Sequence, residues 1–380
     1  MAENHFDYII VGNGLAGLKL ALALSEDSFF NTKKIGLIDK VKKNENDKTW
    51  CFWEKGAGRW DEIVHRSWSD GSFYSSKNSL SFELYPYEYK MIHSIDFYEY
   101  SFKQLNKKKN FSFIYDEITS FEELDVIKVK GLKHTYTCEK LFDSRIPTEY
   151  YSQEEQYIRI YQHFKGWFIE TKTDVFDPAN FTMMDYRLKY QDDTTFTYVL
   201  PLSKRKALVE FTFFTPYTVE SNVYDIYLGK YIDSVLKIKE FEIIDEEYGV
   251  IPMTDFPFEK YNSKAVTKIG TGGGWVKGST GYSFKNSDNK ISILIDNLKN
   301  NNLPSKGFFK KRYQFYDKVF LHVLKNNNKK GEWIFDKFYS RNSITNMFSF
   351  LNEETSFLRE LKIMSSLLSI TFLKSFFKSL

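Results

Sequence analysis

A mixed fold, part α/β and part α+β with a helical end, is what the sequence predicts, and three observations carry that expectation. Residues 7–18, DYIIVGNGLAGL, hold a short apolar run, a glycine-spaced turn and the start of an Ala- and Leu-rich helix. That order opens a parallel α/β sheet, whose strands are buried on both faces and read as continuous apolar runs. Residues 206–214, KALVEFTFF, alternate at period two with both faces largely apolar, which predicts a buried strand of a second sheet. Residues 361–370, LKIMSSLLSI, place Leu361, Ile363, Met364, Leu367, Leu368 and Ile370 on one helical arc.

Each element follows from its residues. Tyr8 to Val11 form the first strand, and Gly12, Gly14 and Gly17 supply the spacing G-x-G-x-x-G. Gly12 permits a tight turn, Gly14 lets backbone approach a pyrophosphate, and Gly17 lets helix pack on strand. The helix from Leu15 turns free N–H groups and the positive end of its dipole toward phosphate. A second apolar run, KIGLIDK, ends at Asp39, 22 residues after Gly17, where an acid meets the ribose hydroxyls of an adenosine. Together these features predict a Rossmann-like dinucleotide site; the spacing alone does not distinguish NAD from FAD.

Residues 266–284, VTKIGTGGGWVKGSTGYSF, add a short strand followed by Gly270, Gly272, Gly273 and Gly274. Glycines there let a second backbone segment approach a cofactor, which the extended FAD requires more than NAD does. A helix is expected from near Ser279 or Thr280. Gly270, Gly272 and Gly273 thus join Gly12, Gly14, Gly17 and Asp39 as candidate cofactor-binding residues, and no metal-ligating set is assigned.

Composition narrows the function classes. The chain has 53 basic and 50 acidic residues, a net charge of +3, so no single-sign field points to nucleic acid. Two cysteines, Cys51 and Cys138, are too few for a disulfide framework and fit a reducing cytosol. The leading residues MAENHFDYIIVG lack the cationic and apolar regions of a signal peptide, and no run of apolar residues is long enough for a membrane span.

Glu210 stands at the centre of the 206–214 strand, on the face shared by Leu208, Thr212 and Phe214. A carboxylate among apolar side chains is costly unless it is paired, hydrogen-bonded or held neutral. It is therefore either a structural ion-pair partner or a general acid of raised pKa. Arg145, in FDSR at 142–145, either faces the cofactor or pairs with Asp143; Asp185 and Arg187 are a second candidate pair.

Several longer stretches resemble the lycopene cyclases, specifically the bacterial lycopene beta-cyclases. They are DYIIVGNGLAGL, KTWCFWE (48–54), IDFYEY (95–100), FDSR, QHFKGWFIET (162–171) and FDPANFTMMDYR (176–187). YVLPLSKRKALVEFTFF (198–214), YGVIPMT (248–254) and IGTGGGWVKGSTGYSF (269–284) continue the series in the family's order. The acidic motif FLEET of plant members is matched loosely by residues 208–212, with its first glutamate on Glu210 and Phe211 in place of the second. Gly278 stands where the family usually has proline.

The resemblance implies a flavoprotein with a discontinuous FAD-binding Rossmann-like domain (1–70, 100–160 and 250–300). It implies a substrate-binding sheet domain (71–99 and 161–249) and a helical C-terminal region (301–380). It further implies that the ψ-ends of lycopene, or related acyclic carotenoids, are closed to β-rings through γ-carotene to β-carotene without net redox change. Reduced FAD, with NAD(P)H as reductant, is the implied cofactor state, and Glu210 the implied acid. Trp50, Phe52, Trp53 and Trp275 are candidates for stabilising a cationic intermediate. A bilayer-resident substrate also implies a cytoplasmic protein held at the inner face of the cell membrane, with residues 372–380 and the basic stretch 306–315 as candidate contacts. A flavin-dependent reductase or hydroxylase acting on an apolar substrate is the alternative reading, and a non-catalytic lipid carrier a third.

Overall fold

The computed structural model describes residues 4–379. The first apolar run forms the strand His5–Val11, with Ile9 and Ile10 fully buried, at the centre of a seven-stranded sheet. Ile35–Asp39 and then Phe111–Tyr115 lie parallel on one side, and Thr135–Asp143 lies parallel on the other. The outer edge of Thr135–Asp143 is shared. Its first half pairs antiparallel with Ile127–Gly131, and Leu141 to Asp143 pair parallel with the short strand Val266–Lys268. That late strand returns the chain to the end of the sheet where the glycine turn sits. The helix Leu15–Glu26 buries Leu18, Leu20 and Leu22 in a core shared with the helices Ser94–Leu105 and Phe284–Lys299.

The second sheet also has seven strands, in the order Phe241–Thr254, Arg159–Thr171, Lys206–Thr215, Thr195–Pro201, Asn180–Asp185, Asp70–Tyr74 and Ser79–Glu83. It is antiparallel except where Asn180–Asp185 meets Asp70–Tyr74. The alternation expected for 206–214 is present. Ala207, Val209, Phe211 and Phe213 face Tyr224, Leu228 and Tyr231 of the helix Ser221–Ser234. Leu208 and Phe214 face the other way, into a core completed by the C-terminal helices. A three-stranded sheet of Thr49–Lys55, Tyr87–His93 and Arg66–Trp68 joins the halves, since Phe52 and Ile92 enter the first core while Trp53 and Tyr89 enter the second.

Among the described residues five α-helices follow: Lys311–Asn326, Gly331–Arg341, Ile344–Leu351, Phe357–Ser366 and Ile370–Ser379. The single arc expected for 361–370 is divided between two of them. Ser365 and Ser366 turn their hydroxyls back onto the carbonyls of Lys362 and Ile363, which competes with the helical ladder and ends it. Ile363 is buried, whereas Leu368 and Ile370 are 61% and 73% exposed. The helix expected from Ser279 or Thr280 begins instead at Phe284, because the chain first makes a turn with Gly281 at φ +73°. Among the described residues, no helix is long and apolar enough to cross a membrane.

Candidate active site

The glycine turn is built as its spacing demands. Gly12 has φ +98°, and a Cβ on Gly17 would lie 1.9 Å from the Gly12 carbonyl oxygen, so helix and turn pack backbone to backbone. Gly14 caps the helix without a side-chain bond, and a Cβ there would meet nothing within 4 Å. Open space therefore faces the uncapped first turn, the arrangement that receives an anion. Asp39 is brought to the same place: its Oδ2 accepts from the Asn13 amide at 2.6 Å and its Oδ1 from the Val41 amide at 3.1 Å. The Asn13 side-chain Oδ1 is buried without a partner. An orphaned acceptor, a free helix start and an acid one strand away fit a dinucleotide.

The late glycines reach this loop from the other side. Gly270, at φ +59°, opens a tight turn whose Cβ position lies 3.1 Å from Ala16. Gly272 abuts the carbonyls of Ser144 and Arg145, and Gly273 that of Lys268. Gly272 and Gly273 thus permit backbone-on-backbone packing, and the side chain their turn offers to the cavity is Thr271, beside Gly14, Leu15 and Ser144. Arg145 pairs with Asp143 through two bonds of 2.9 Å, and Lys268 reaches the same carboxylate at 2.8 Å. Burial alone would push the Asp143 carboxyl up, but the two cations hold it below its ordinary value. Asp185 and Arg187 are likewise paired, and the Tyr231 hydroxyl donates to Asp185 at 2.7 Å.

A cavity of about 930 Å³ extends from Gly14 and Leu15 past the middle of the second sheet to the C-terminal helices. Its wall is mainly apolar, with Leu208, Phe214, Phe338, Phe348, Leu367 and Phe377 among the lining side chains. Glu210 points into it and is 8% exposed. The Thr212 hydroxyl, two residues on and so on the same face, donates to Glu210 Oε1 at 2.6 Å. Burial pushes the Glu210 carboxyl well above its ordinary value, and the carboxyl of Glu247 pushes it further. Glu247 also lines the cavity, and burial raises its own carboxyl to about 7. The two acids sit on strands either side of Arg159–Thr171, each in register with Gly166.

Glu247 is not among the residues the sequence singles out; it follows Asp245 and Glu246 in a stretch most of whose residues are exposed. The available signal is Gly166 itself, a glycine inside a long strand, which marks a close approach.

Beside the acids, the Tyr198 hydroxyl donates to Tyr89 at 2.6 Å, and Tyr89 meets Tyr282 at 2.9 Å. Of the four aromatics singled out, Trp50 and Trp53 line the cavity. Phe52 stacks on Phe284 at 4.3 Å, and Trp275 is fully buried against Phe308. Among the described residues, His65, His93 and Asp96 bring possible metal donors within 4.8 Å of one another, and none of the three lines the cavity.

The family described as lycopene cyclase protein matches residues 7–376. No curated protein matches the chain significantly. Among solved structures, a geranylgeranyl bacteriochlorophyll reductase-like protein from Thermoplasma acidophilum superposes with TM-score 0.60 at 12% identity, covering 99% of this chain and 100% of that one. The flavin-dependent brominase Bmp2 gives 0.59 at 13% identity, over 95% of this chain and 93% of its own. The halogenase PltM, in complex with phloroglucinol and FAD, gives 0.56 at 10% identity, over 98% and 90%. At such identities the structures establish a flavoprotein fold, and the family match, which spans nearly the whole chain, shows that this protein belongs to the lycopene cyclase family.

Proposed function

We propose that the protein is a lycopene β-cyclase that closes the ψ-ends of lycopene to β-rings, by way of γ-carotene to β-carotene, without net redox change. The observation that carries this reading is Glu210, a buried carboxyl kept protonated in an apolar cavity that also reaches the dinucleotide loop. The loop, with Gly14, Asn13 and Asp39, would hold FAD; reduced FAD, maintained by NAD(P)H, supplies negative charge that favours a nearby cation.

An alkene is a weak base, so its protonation needs a positioned acid shielded from water. Glu210 donates to C2 of the terminal double bond, leaving a tertiary cation at C1. The C5–C6 double bond attacks C1 and closes the ring, and loss of the C6 proton gives the β-end. No atoms enter or leave overall. The apolar wall keeps water from trapping the cation, and Trp50, and Trp53 through the face not stacked on Phe348, each offer roughly 0.5–2 kcal/mol of cation–π attraction. The hydroxyls of Tyr198, Tyr89 and Tyr282 form a chain of two hydrogen bonds, which fixes their orientation.

The substrate enters from a bilayer. Leu367, Leu368, Leu373, Phe376 and Phe377 line the cavity's outer part, and Leu368 and Phe377 are 61% and 70% exposed. Lys362, Lys374 and Lys378 stand exposed among them, the pattern of an interfacial helix. Leu380 lies outside the described residues. Exchanging both Leu368 and Phe377 for Asp is expected to weaken binding to anionic vesicles by at least about a hundredfold, as several methylenes at about 0.8 kcal/mol each are lost and two negative charges are added; unchanged sedimentation with vesicles would exclude this face.

A second reading, an FAD-dependent reductase of a prenyl chain, is favoured by the likeness to the reductase-like protein over 99% of this chain. One experiment separates the two: pigments of lycopene-accumulating bacteria expressing the protein or its Glu210→Gln variant. β-Carotene from the first and untouched lycopene from the second support the cyclase. Hydrogenated products, with NAD(P)H consumed stoichiometrically, support the reductase.

A further inference from the structure

We infer that Glu247 is a positioning residue for the proton-donating Glu210, the two carboxyls sharing one proton across the gap left by Gly166. The inference rests on the proposed acid role of Glu210 and adds what holds the proton there.

The geometry begins with register. Gly166 is opposite Glu210 on one side and opposite Glu247 on the other, so both acids project from the same face with a residue of no side chain between them. A Cβ on Gly166 would lie 2.7 Å from Leu208 Cδ1, 3.2 Å from Glu247 Cγ and 3.5 Å from Glu210 Cβ. Any other residue would fill the space through which the carboxyls meet. Both line the same cavity.

The surroundings are unequal. Thr49, at the start of the bridging sheet, and Lys48 just before it face Glu247, and both favour its ionised form. Asp245, on its own strand, opposes them more weakly. Around Glu210 stand Thr212 on its strand, Tyr198 opposite it on the next strand, and Cys51 and Tyr282 from the cavity wall, all neutral, and among the described residues no cation is adjacent. Two carboxylates so close do not both ionise, and the proton settles on the member without a cation. During cyclisation the pair gives one proton to C2 and regains one from C6, so its charge is restored without any further reactant.

The test reads the proton directly and through catalysis. Infrared titration of the flavin-loaded protein is expected to show a protonated-carboxyl band that persists into alkaline pH in wild type and is missing in Glu210→Gln. In Glu247→Gln the like charge is gone, so that band, and the basic limb of the cyclisation rate, should move down by about one pH unit or more. Glu247→Asp, which keeps the charge, should undo part of that shift. Gly166→Ala, with flavin retained, should reproduce it; if that variant does not fold, the Glu247 variants decide.

A band and a pH limb that do not move in Glu247→Gln, or a rate lowered equally at every pH, would overturn the inference. If wild type shows the band but leaves lycopene unchanged, the proposed function falls and the acid pair stands.

Discussion

The parallel and antiparallel sheets of this protein hold their working residues in different ways. In the parallel sheet, Gly12, Gly14, Gly17 and Asp39 lie within one strand–turn–helix–strand unit, and their positions follow from local sterics. In the antiparallel sheet, Gly166, Glu210 and Glu247 come from three strands far apart in sequence and meet only because the strands pair in one register. A one-residue slip would turn either acid to the opposite face, toward the helix Ser221–Ser234. Damage to the first region should therefore appear as lost cofactor and stability, and damage to the second as lost chemistry in a protein that still folds.

The largest effect should come from the acid. Glu210→Gln is expected to lower the cyclisation rate in lycopene-loaded vesicles by about 10²–10⁴-fold, the usual contribution of a positioned proton donor. Flavin content should not change; a variant that loses flavin as well would break the contrast between the regions.

Next is the charge knot behind the dinucleotide loop. Asp143 is fully buried between Arg145 and Lys268. Asp143→Asn leaves those cations without their counter-charge and should cost roughly 3–5 kcal/mol in urea unfolding, with loss of flavin. Gly17→Ala forces a methyl against the Gly12 carbonyl and should cost roughly 1–3 kcal/mol, read as lower flavin absorbance per protein.

The smallest effect sharpens the view of the second region. Glu247 keeps its proton in the folded state up to about pH 7, whereas the unfolded chain loses it in the ordinary carboxylate range. The folded state thus binds more protons across that window, so stability falls as pH rises from about 4.5 to about 7 and then levels. Glu247→Gln should remove that loss, making the protein more stable by about 1–3 kcal/mol at pH 8 and hardly changed at pH 4. A gain of equal size at both values would mean that repacking, not protonation, is responsible.

How much of this was legible in the sequence varies residue by residue. Glu210 declared itself, since a carboxyl among Leu208, Phe211 and Phe213 needs an explanation whatever it packs against. Arg145 did not, because FDSR is compatible with either partner until Lys268 arrives from a strand 123 residues later to complete the Asp143 cluster. Trp50 and Trp275 looked alike as aromatic residues beside glycine-rich segments, yet one lines the cavity and the other is sealed against Phe308. The tail shows the same limit: its apolar spacing predicts helix, but where the Ser365–Ser366 pair ends it is settled by competing hydrogen bonds.

By itself the sequence determined the glycine turn, the alternation of 206–214 and the presence of one acid in an apolar strand. These depend on interactions within a few residues, where sterics and period leave little freedom. Only the tertiary structure decided that Glu247 stands opposite the same glycine as Glu210, that Gly272 and Gly273 press on backbone, and that the exposed tail borders the cavity. Those facts arise from strand register and helix docking, which are set by the combined packing of segments distant in the chain and leave no local periodicity to read.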